Sequence, residues 1–183
     1  MPRLFTALSL PEDLRASLAS LRGGLRGARW IDPENYHITL RFIGDVDHRT
    51  ADEIFETMHR VARHPFEVTL DGLGTFGAKK PHCLFAKVAP TPALAELQAD
   101  HERRIQRLGL PAEARRFVPH VTLARLKGTP ARDAADWLSI RGGFFALPFR
   151  AETFVLLSSK DSVGGGPYIT EATIPLARQK VAA

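Results

Sequence analysis

Short segments of alternating apolar and polar residues recur along the whole chain, and most of them have the length of a β-strand. Alternation with period two places every second side chain on the same face of a strand. Val, Ile, Thr, Leu and Phe dominate these segments and favour an extended backbone. The pattern predicts strands that begin near His37 and His120, together with strands over residues 4–10, 66–70, 83–88, 149–158 and 168–174.

Four other segments repeat their apolar residues at helical spacing. The pattern and its flanking Pro and Gly residues predict helices over residues 11–21, 49–64, 93–108 and 131–138. A glycine-rich stretch at 71–80 lacks the Gly-Lys-Ser/Thr ending of a phosphate-binding loop, so it is interpreted as a connection. Strands and helices alternate without a regular parallel unit. We therefore predict an α+β fold in which two antiparallel sheets face each other with helices outside.

A tetrapeptide occurs twice, as His37-Ile-Thr-Leu and as His120-Val-Thr-Leu, 83 residues apart (120 − 37). The same period relates Pro65-Phe66 to Pro148-Phe149 and Arg49 to Arg132. Two copies are too few for a solenoid and instead indicate two lobes of one pseudo-symmetric unit. We expect residues 1–183 to form a single bilobal domain, with the two histidines facing each other across a central cleft.

Each motif places an imidazole and a hydroxyl on one face of its strand, because residues i and i+2 point the same way. His37 then lies beside Thr39, and His120 beside Thr122. An imidazole titrates near neutrality and a hydroxyl donates a hydrogen bond, which are the groups that acid-base cleavage of a phosphate ester needs. A single His-x-Thr triplet is usually a structural histidine, so the repeat carries this hypothesis.

The amino-acid composition indicates which kinds of partner the protein can bind. The net charge is +5 and 19 of the 25 basic residues are arginine, the side chain that binds phosphate through two hydrogen bonds. RNA is therefore a plausible partner, although a biased genome could produce the same composition. Cys83 is the only cysteine, which excludes an internal disulfide and a cysteine zinc site and favours a reducing compartment. No apolar run approaches a membrane span. We expect a cytoplasmic monomer.

The two motifs resemble those of the two-histidine (2H) phosphoesterase superfamily. Phe42 and Arg125, each five residues after its histidine, and the opening Leu4-Phe5-Thr6-Ala7-Leu8 extend the likeness, which runs from about residue 4 to residue 174. The closest branch is that of the RNA 2′,3′-cyclic phosphodiesterases, historically described as 2′-5′ RNA ligases. The resemblance implies a bilobal fold with one motif in each lobe.

The resemblance also implies roles for residues. His37 would be the proton donor and His120 the proton acceptor, although the residues alone leave that assignment open. Hydrolysis would convert a 2′,3′-cyclic phosphate end of RNA into a 2′-phosphomonoester, without a metal or another cofactor. Small cyclic phosphates and a reversible ligation of tRNA halves stay open as alternatives.

The threonines and two further residues would bind the substrate. Thr39 and Thr122 would contact the non-bridging oxygens of the phosphate, where charge accumulates. By resemblance, Arg125 would also contact the phosphate, and Phe42 could stack on a base. A residue five positions after the histidine faces away from it unless the strand contains a bulge. Arg41 has the correct parity on a regular strand and is a second candidate.

Two other classes of function compete with a metal-independent enzyme. A metal-dependent phosphodiesterase would need carboxylates at ligand spacing beside the histidines, and neither motif carries one. A non-catalytic module that binds RNA or a nucleotide phosphate with the same fold stays open. Both histidines are intact, which favours an enzyme.

Overall fold

The computed structural model describes residues 1–159 and 165–176, and it shows four α-helices and ten β-strands in that part of the chain. The helices are α1 (Glu12–Ala19), α2 (His48–His59), α3 (Pro92–Arg107) and α4 (Ala131–Ile140). The strands are β1 (Arg3–Ser9), β2 (Ala28–Trp30), β3 (His37–Asp45), β4 (Phe66–Val68), β5 (Leu70–Phe76), β6 (Cys83–Val88), β7 (His120–Leu126), β8 (Phe149–Ala151), β9 (Thr153–Ser159) and β10 (Tyr168–Pro175).

The α+β class is confirmed, and local signals explain where the elements begin. Asp47 caps α2 by accepting a hydrogen bond from the backbone N–H of Thr50, and Thr91 caps α3 in the same way, with Pro92 in the first turn. Several predicted bounds were wrong, and the strands expected at 66–70 and 149–158 are each divided between two strands in different sheets. Helix α2 ends at His59, before the expected stop at 64–65. Most of the stretch 71–80 is not a connection, because it forms the body of β5.

All pairs among the described strands are antiparallel. The main sheet has the order β10-β9-β1-β3-β7-β6-β5, with β2 also paired to β7. Strands β9, β1 and β3 form one lobe with β10, and strands β7, β6 and β5 form the other with β2. The last strand of each repeat is exchanged, because β9 follows the second motif but lies in the lobe of the first, and β5 does the opposite.

Among the strand contacts that cross between the repeats, two join residues that are 83 positions apart. Ile38 is paired with Val121 where β3 meets β7. Glu67 is paired with Arg150 at the centre of the separate two-stranded sheet β4-β8. A residue that pairs with its own equivalent lies on a twofold axis. The spacing of the motifs therefore reports a pseudo-twofold axis that passes through both contacts.

Most of the hydrophobic core lies on the face of the sheets opposite to the motif histidines. Ile38 and Leu40 from β3, Val121 and Leu123 from β7, and Ile105 from α3 belong to one buried cluster. A smaller cluster on the cleft face consists of Phe5, Ala7, Val155 and Leu157, with Tyr168 against it. Burial of a large apolar side chain stabilises a fold by roughly 1.5–3 kcal/mol, so this packing holds the motif strands firmly. Among the described helices, none is both long and apolar enough to cross a membrane.

Candidate active site

A β-bulge in each motif strand decides which side chains face the cleft. In the pairing of β6 with β7 the register shifts between Leu84 and Phe85, so that Leu84 opposes Ala124 while Phe85 opposes Thr122. Leu123 is the extra residue. The bulge reverses the alternation after Thr122 and turns Arg125 to the same side as His120, as the resemblance required.

Strand β3 contains the equivalent bulge at Leu40, because Thr6 opposes Arg41 while Ala7 opposes Thr39. Phe42 is therefore exposed on the cleft side and Arg41 is buried. The Arg41 guanidinium forms an ion pair with Glu102 and donates hydrogen bonds to the carbonyls of Phe42 and Pro111. Arg41, the second candidate from strand parity, lines the cleft but is buried and its guanidinium is held by these partners, so its role in the cleft stays a prediction.

Both motif histidines are oriented by a backbone carbonyl two residues earlier. Nδ1 of His37 lies 2.8 Å from the carbonyl oxygen of Asn35, and Nδ1 of His120 lies 2.7 Å from that of Val118. A carbonyl only accepts, so Nδ1 carries the hydrogen in each ring and Nε2 is the atom available for proton transfer. Nε2 of His37 lies 3.1 Å from Oγ1 of Thr39.

Aromatic rings surround each imidazole. The ring of His37 contacts Phe5 at 5.1 Å and Tyr168 at 5.2 Å between centroids. His120 contacts Phe76 at 5.0 Å and Phe85 at 5.3 Å. These rings remove water from the imidazoles and fix their planes, which prepares both for directed proton transfer.

Burial lowers the pKa of both histidines, because a charged imidazole loses hydration in this environment. The pKa of His37 falls to about 4, with the charges of His120 and Arg125 adding to the effect of burial and the Asn35 carbonyl opposing it. For His120 the Val118 carbonyl opposes the effect of burial, and Arg125 and Arg115 add to it. Without a bound anion, His37 is therefore neutral at pH 7.

The six residues predicted to catalyse the reaction or bind substrate line one cleft of about 950 Å³, together with further aromatic and arginine side chains, Arg41 among them. The six are His37, Thr39, Phe42, His120, Thr122 and Arg125. The Arg125 guanidinium has no hydrogen-bond or ion-pair partner among residues 1–159 and 165–176. A cation left without a partner beside two imidazoles is suited to hold an anionic group.

Thr122 has a neighbour that the sequence did not indicate. The Sγ atom of Cys83 lies 3.8 Å from Oγ1 of Thr122, and Cys83 is paired with Arg125 across β6 and β7. Burial raises the pKa of the Cys83 thiol, so it is a neutral side chain here.

Sequence reasoning also missed the aromatic rings and the orienting carbonyls. The carbonyls of Asn35 and Val118 carry no side-chain signal, although their separation of 83 residues repeats that of the motifs. Phe5 and Phe85 lie on strands adjacent to the motif strands, so only the strand pairing would have found them. In the described part of the chain, no three His, Cys, Asp or Glu side chains are grouped as a metal site would require.

The two lobes, the shared cleft and the symmetric His-x-Thr pairs define a protein of the two-histidine phosphoesterase class. Comparison with family models agrees, because the model of the LigT-like phosphoesterases matches residues 8–85 and again residues 87–168. The chain belongs to the LigT-like phosphoesterase family. The two successive matches correspond to the two repeats.

Similar proteins carry a common name. A protein of Thermus thermophilus named RNA 2′,3′-cyclic phosphodiesterase is 32% identical over 177 residues, which cover 91% of this chain and 86% of that relative. A protein of Geobacillus stearothermophilus with the same name is 34% identical over 66% of this chain. The matched regions span only 41% to 57% of the length of that protein and two further relatives.

Two solved structures share the fold over nearly the whole chain. A crystal structure of a Thermus thermophilus protein has a TM-score of 0.80 and 27% identity, and it covers 97% of this chain and 99% of its own. Escherichia coli LigT complexed with 3′-AMP has a TM-score of 0.76 and 23% identity, with 97% of this chain and 100% of that chain covered.

Proposed function

We propose that this protein hydrolyses the 2′,3′-cyclic phosphate ends of RNA to 2′-phosphomonoesters by acid-base catalysis with two histidines and no metal ion. One observation carries the proposal. Two imidazoles in one cleft are held by equivalent backbone carbonyls, so that Nε2 is the reactive atom of both. The names of the family relatives support the reaction class.

The reaction needs a base and an acid on opposite sides of the phosphorus, because water must attack in line with the departing ribose oxygen. Nε2 of His120 takes a proton from the attacking water as the new P–O bond forms. The bond from phosphorus to the 3′ oxygen breaks, and Nε2–H of His37 donates its proton to that oxygen. The two imidazoles then exchange protons with solvent to restore the starting states.

The direction of proton transfer follows the family resemblance, and electrostatics set one condition on it. A donor must be protonated, whereas His37 is neutral in the ligand-free cleft because its pKa is about 4. The negative charge of a bound phosphate raises the pKa of an imidazole. We infer that the substrate itself charges His37, so that the acid forms only when there is something to cleave.

Charge on the phosphate oxygens is stabilised by three side chains. The hydroxyls of Thr39 and Thr122 donate hydrogen bonds to the non-bridging oxygens, and the guanidinium of Arg125 offers a charged contact. Phe42 occupies the position equivalent to Arg125 in the first repeat and is 42% exposed, so its ring is available to stack on the terminal base.

One chain supplies both histidines and both threonines, which supports action as a monomer, and the single cysteine is consistent with the reducing cytoplasm. A 2′-5′ ligation of RNA, including tRNA halves, would use the same groups in the same roles, with the 5′ hydroxyl of a second strand attacking phosphorus in place of water. Cleavage of the 2′-5′ bond would exchange the two roles, because the acid of one direction is the base of the other.

Phosphorus NMR of a reaction with adenosine 2′,3′-cyclic phosphate tests the reaction. We expect adenosine 2′-phosphate alone, since a water and a leaving oxygen held between two fixed histidines cannot exchange places. A mixture of 2′- and 3′-phosphates would refute the proposed geometry. Tight binding of cyclic nucleotides without turnover would instead show the non-catalytic binding module.

A further inference from the structure

The connection between α3 and β7 lies at the rim of the cleft and is held from the opposite repeat. Arg41 of β3 donates a hydrogen bond to the Pro111 carbonyl and forms an ion pair with Glu102 of α3. The second carboxylate oxygen of Glu102 accepts from the backbone N–H of Glu113 at 3.0 Å. A buried cation and its carboxylate thus fix the start of this surface connection.

This connection brings two arginines into the wall of the cleft. Arg115 and Arg116 both line it, beside Val118, whose carbonyl orients His120. Arg115 forms an ion pair with Glu113, with Nε 3.1 Å from Oε1. Arg116 makes no hydrogen bond or ion pair with any residue in the described ranges. Two guanidiniums therefore face a cavity in which the reaction already uses a third, that of Arg125.

The repeat shows that these two arginines have no counterpart at the other end of the cleft. The pseudo-repeat relates Arg115 and Arg116 to Asp32 and Pro33, so the equivalent connection at the other end carries no cation at these positions. The volume of about 950 Å³ lies near the upper end of the roughly 300–1,000 Å³ found for small-molecule pockets. The cleft therefore has room for more than the group held by the histidines, and Arg116 adds to it a guanidinium with no ion-pair partner in the described ranges.

We propose that Arg115 and Arg116 form a subsite for a second phosphate, the internal phosphodiester that joins the terminal nucleotide to its 5′ neighbour, so that the protein selects RNA ends over mononucleotides. This inference rests on the proposed function, because it takes the cyclic end as the group held by the histidines. The influence of Arg115 on His120 supports it, since the charge of Arg115 contributes to lowering the pKa of that imidazole and so acts at the reacting centre.

The test uses two substrates that differ only in one charge. One is a diadenosine dinucleotide with a 2′,3′-cyclic end, and the other is the same molecule with a neutral methylphosphonate in place of its internal phosphate. We expect wild type to show kcat/KM about tenfold higher for the charged dinucleotide, the scale of a charge-assisted contact, mainly through KM. The double variant Arg115→Gln/Arg116→Gln should reduce that ratio to about one.

Salt provides a second readout and Arg132→Gln provides the control. Each phosphate contact to a single strand contributes about 0.7 to the slope of log affinity against log salt, so the double variant should show a shallower slope with the charged dinucleotide. Arg132 on α4 is 90% exposed and does not line the cleft, so its substitution should leave the ratio at the wild-type value.

Two outcomes would refute the subsite, and a third would refute the proposed function instead. A wild-type ratio near one, or a ratio that survives in the double variant, refutes the subsite. If wild type hydrolyses neither dinucleotide nor adenosine 2′,3′-cyclic phosphate, the proposed function fails. In that case, calorimetry with the 3′-phosphorylated dinucleotide and its methylphosphonate tests the subsite independently of the reaction. The same ratio of affinities is expected in wild type, and its loss in the double variant, because binding at the subsite does not depend on turnover.

Discussion

Addition of a phosphate ligand should raise the protonated fraction of His37 at pH 7 from a trace to about half. In the ligand-free cleft its pKa of about 4 leaves roughly one molecule in a thousand protonated at pH 7. A single negative charge about 4 Å away, at an effective dielectric constant of about 20, stabilises the imidazolium by about 4 kcal/mol. That energy equals about three pKa units. It therefore raises the pKa of His37 into the neutral range, where the protonated imidazole can act as an acid.

Titration of the imidazole signals by NMR measures both states. His37 is assigned by the signal that disappears in His37→Gln, and the pH series is recorded without ligand and with saturating adenosine 2′-phosphate, the proposed product. Adenosine is the control ligand, because it fills the base site without bringing the charge. We expect a rise of about three units with the nucleotide and none with the nucleoside.

Two results would refute the reasoning. Titration of ligand-free His37 near 6.5 would show that burial does not exclude its charge. A His37 that stays neutral at pH 7 in the nucleotide complex, while His120 becomes charged, would mean that the donor and acceptor roles are reversed.

Further outcomes follow from the same structure. His37→Ala and His120→Ala should each lower kcat at least ~10²-fold in steady-state assays, with the circular dichroism of wild type, and near-wild-type turnover would exclude the affected histidine as acid or base. Thr39→Ala and Thr122→Ala should each cost about 10²-fold, and a loss confined to KM would contradict their place in the transition state. Chelation with EDTA should leave kcat unchanged, whereas activity that is lost and then restored by a divalent ion would sink the metal-independent mechanism. His101 is fully buried and its pKa is lowered to about 3, so the unfolded chain binds a proton at this residue more readily than the folded protein does. The stability that the neutral His101 provides is complete above pH 6.5 and is lost as the pH falls toward 3. The urea midpoint of unfolding should therefore fall over that range, and it should fall less steeply in His101→Leu.

The sequence predicted the α+β class and the elements with strong local signals. Helix α3 was expected at 93–108 and spans Pro92–Arg107, because Thr91, Pro92 and Gly109 mark its ends. Strand β6 has the expected bounds. The stretch 71–80 was misread because its glycines conceal a strand: Gly72 adopts a φ of +82° near a register shift in the pairing with β6.

The sequence predicted those features of the cleft that depend on side chains in the two motifs. Repetition of His-x-Thr was enough to bring His37 and His120 together, but the bulges at Leu40 and Leu123 depend on pairing with another strand and leave no mark in the motif itself. The strand exchange could not be predicted for the same reason, because the sequence of a repeat does not indicate which lobe its last strand joins. Backbone groups such as the Val118 carbonyl also give no signal in the sequence, because every residue has a carbonyl.

The exchanged strands give one chain the symmetry of a dimer. In a homodimer with an isologous interface, each residue on the axis meets its own copy. Ile38 and Val121, and Glu67 and Arg150, are such pairs, and β5 and β9 cross between lobes as swapped segments cross between subunits. The fold therefore has the symmetry of a homodimer whose two subunits are joined in one chain. Because the halves are separate stretches of one sequence, they can differ, which two identical subunits cannot do, and the residue five positions after the histidine does differ: Phe42 in one half, Arg125 in the other.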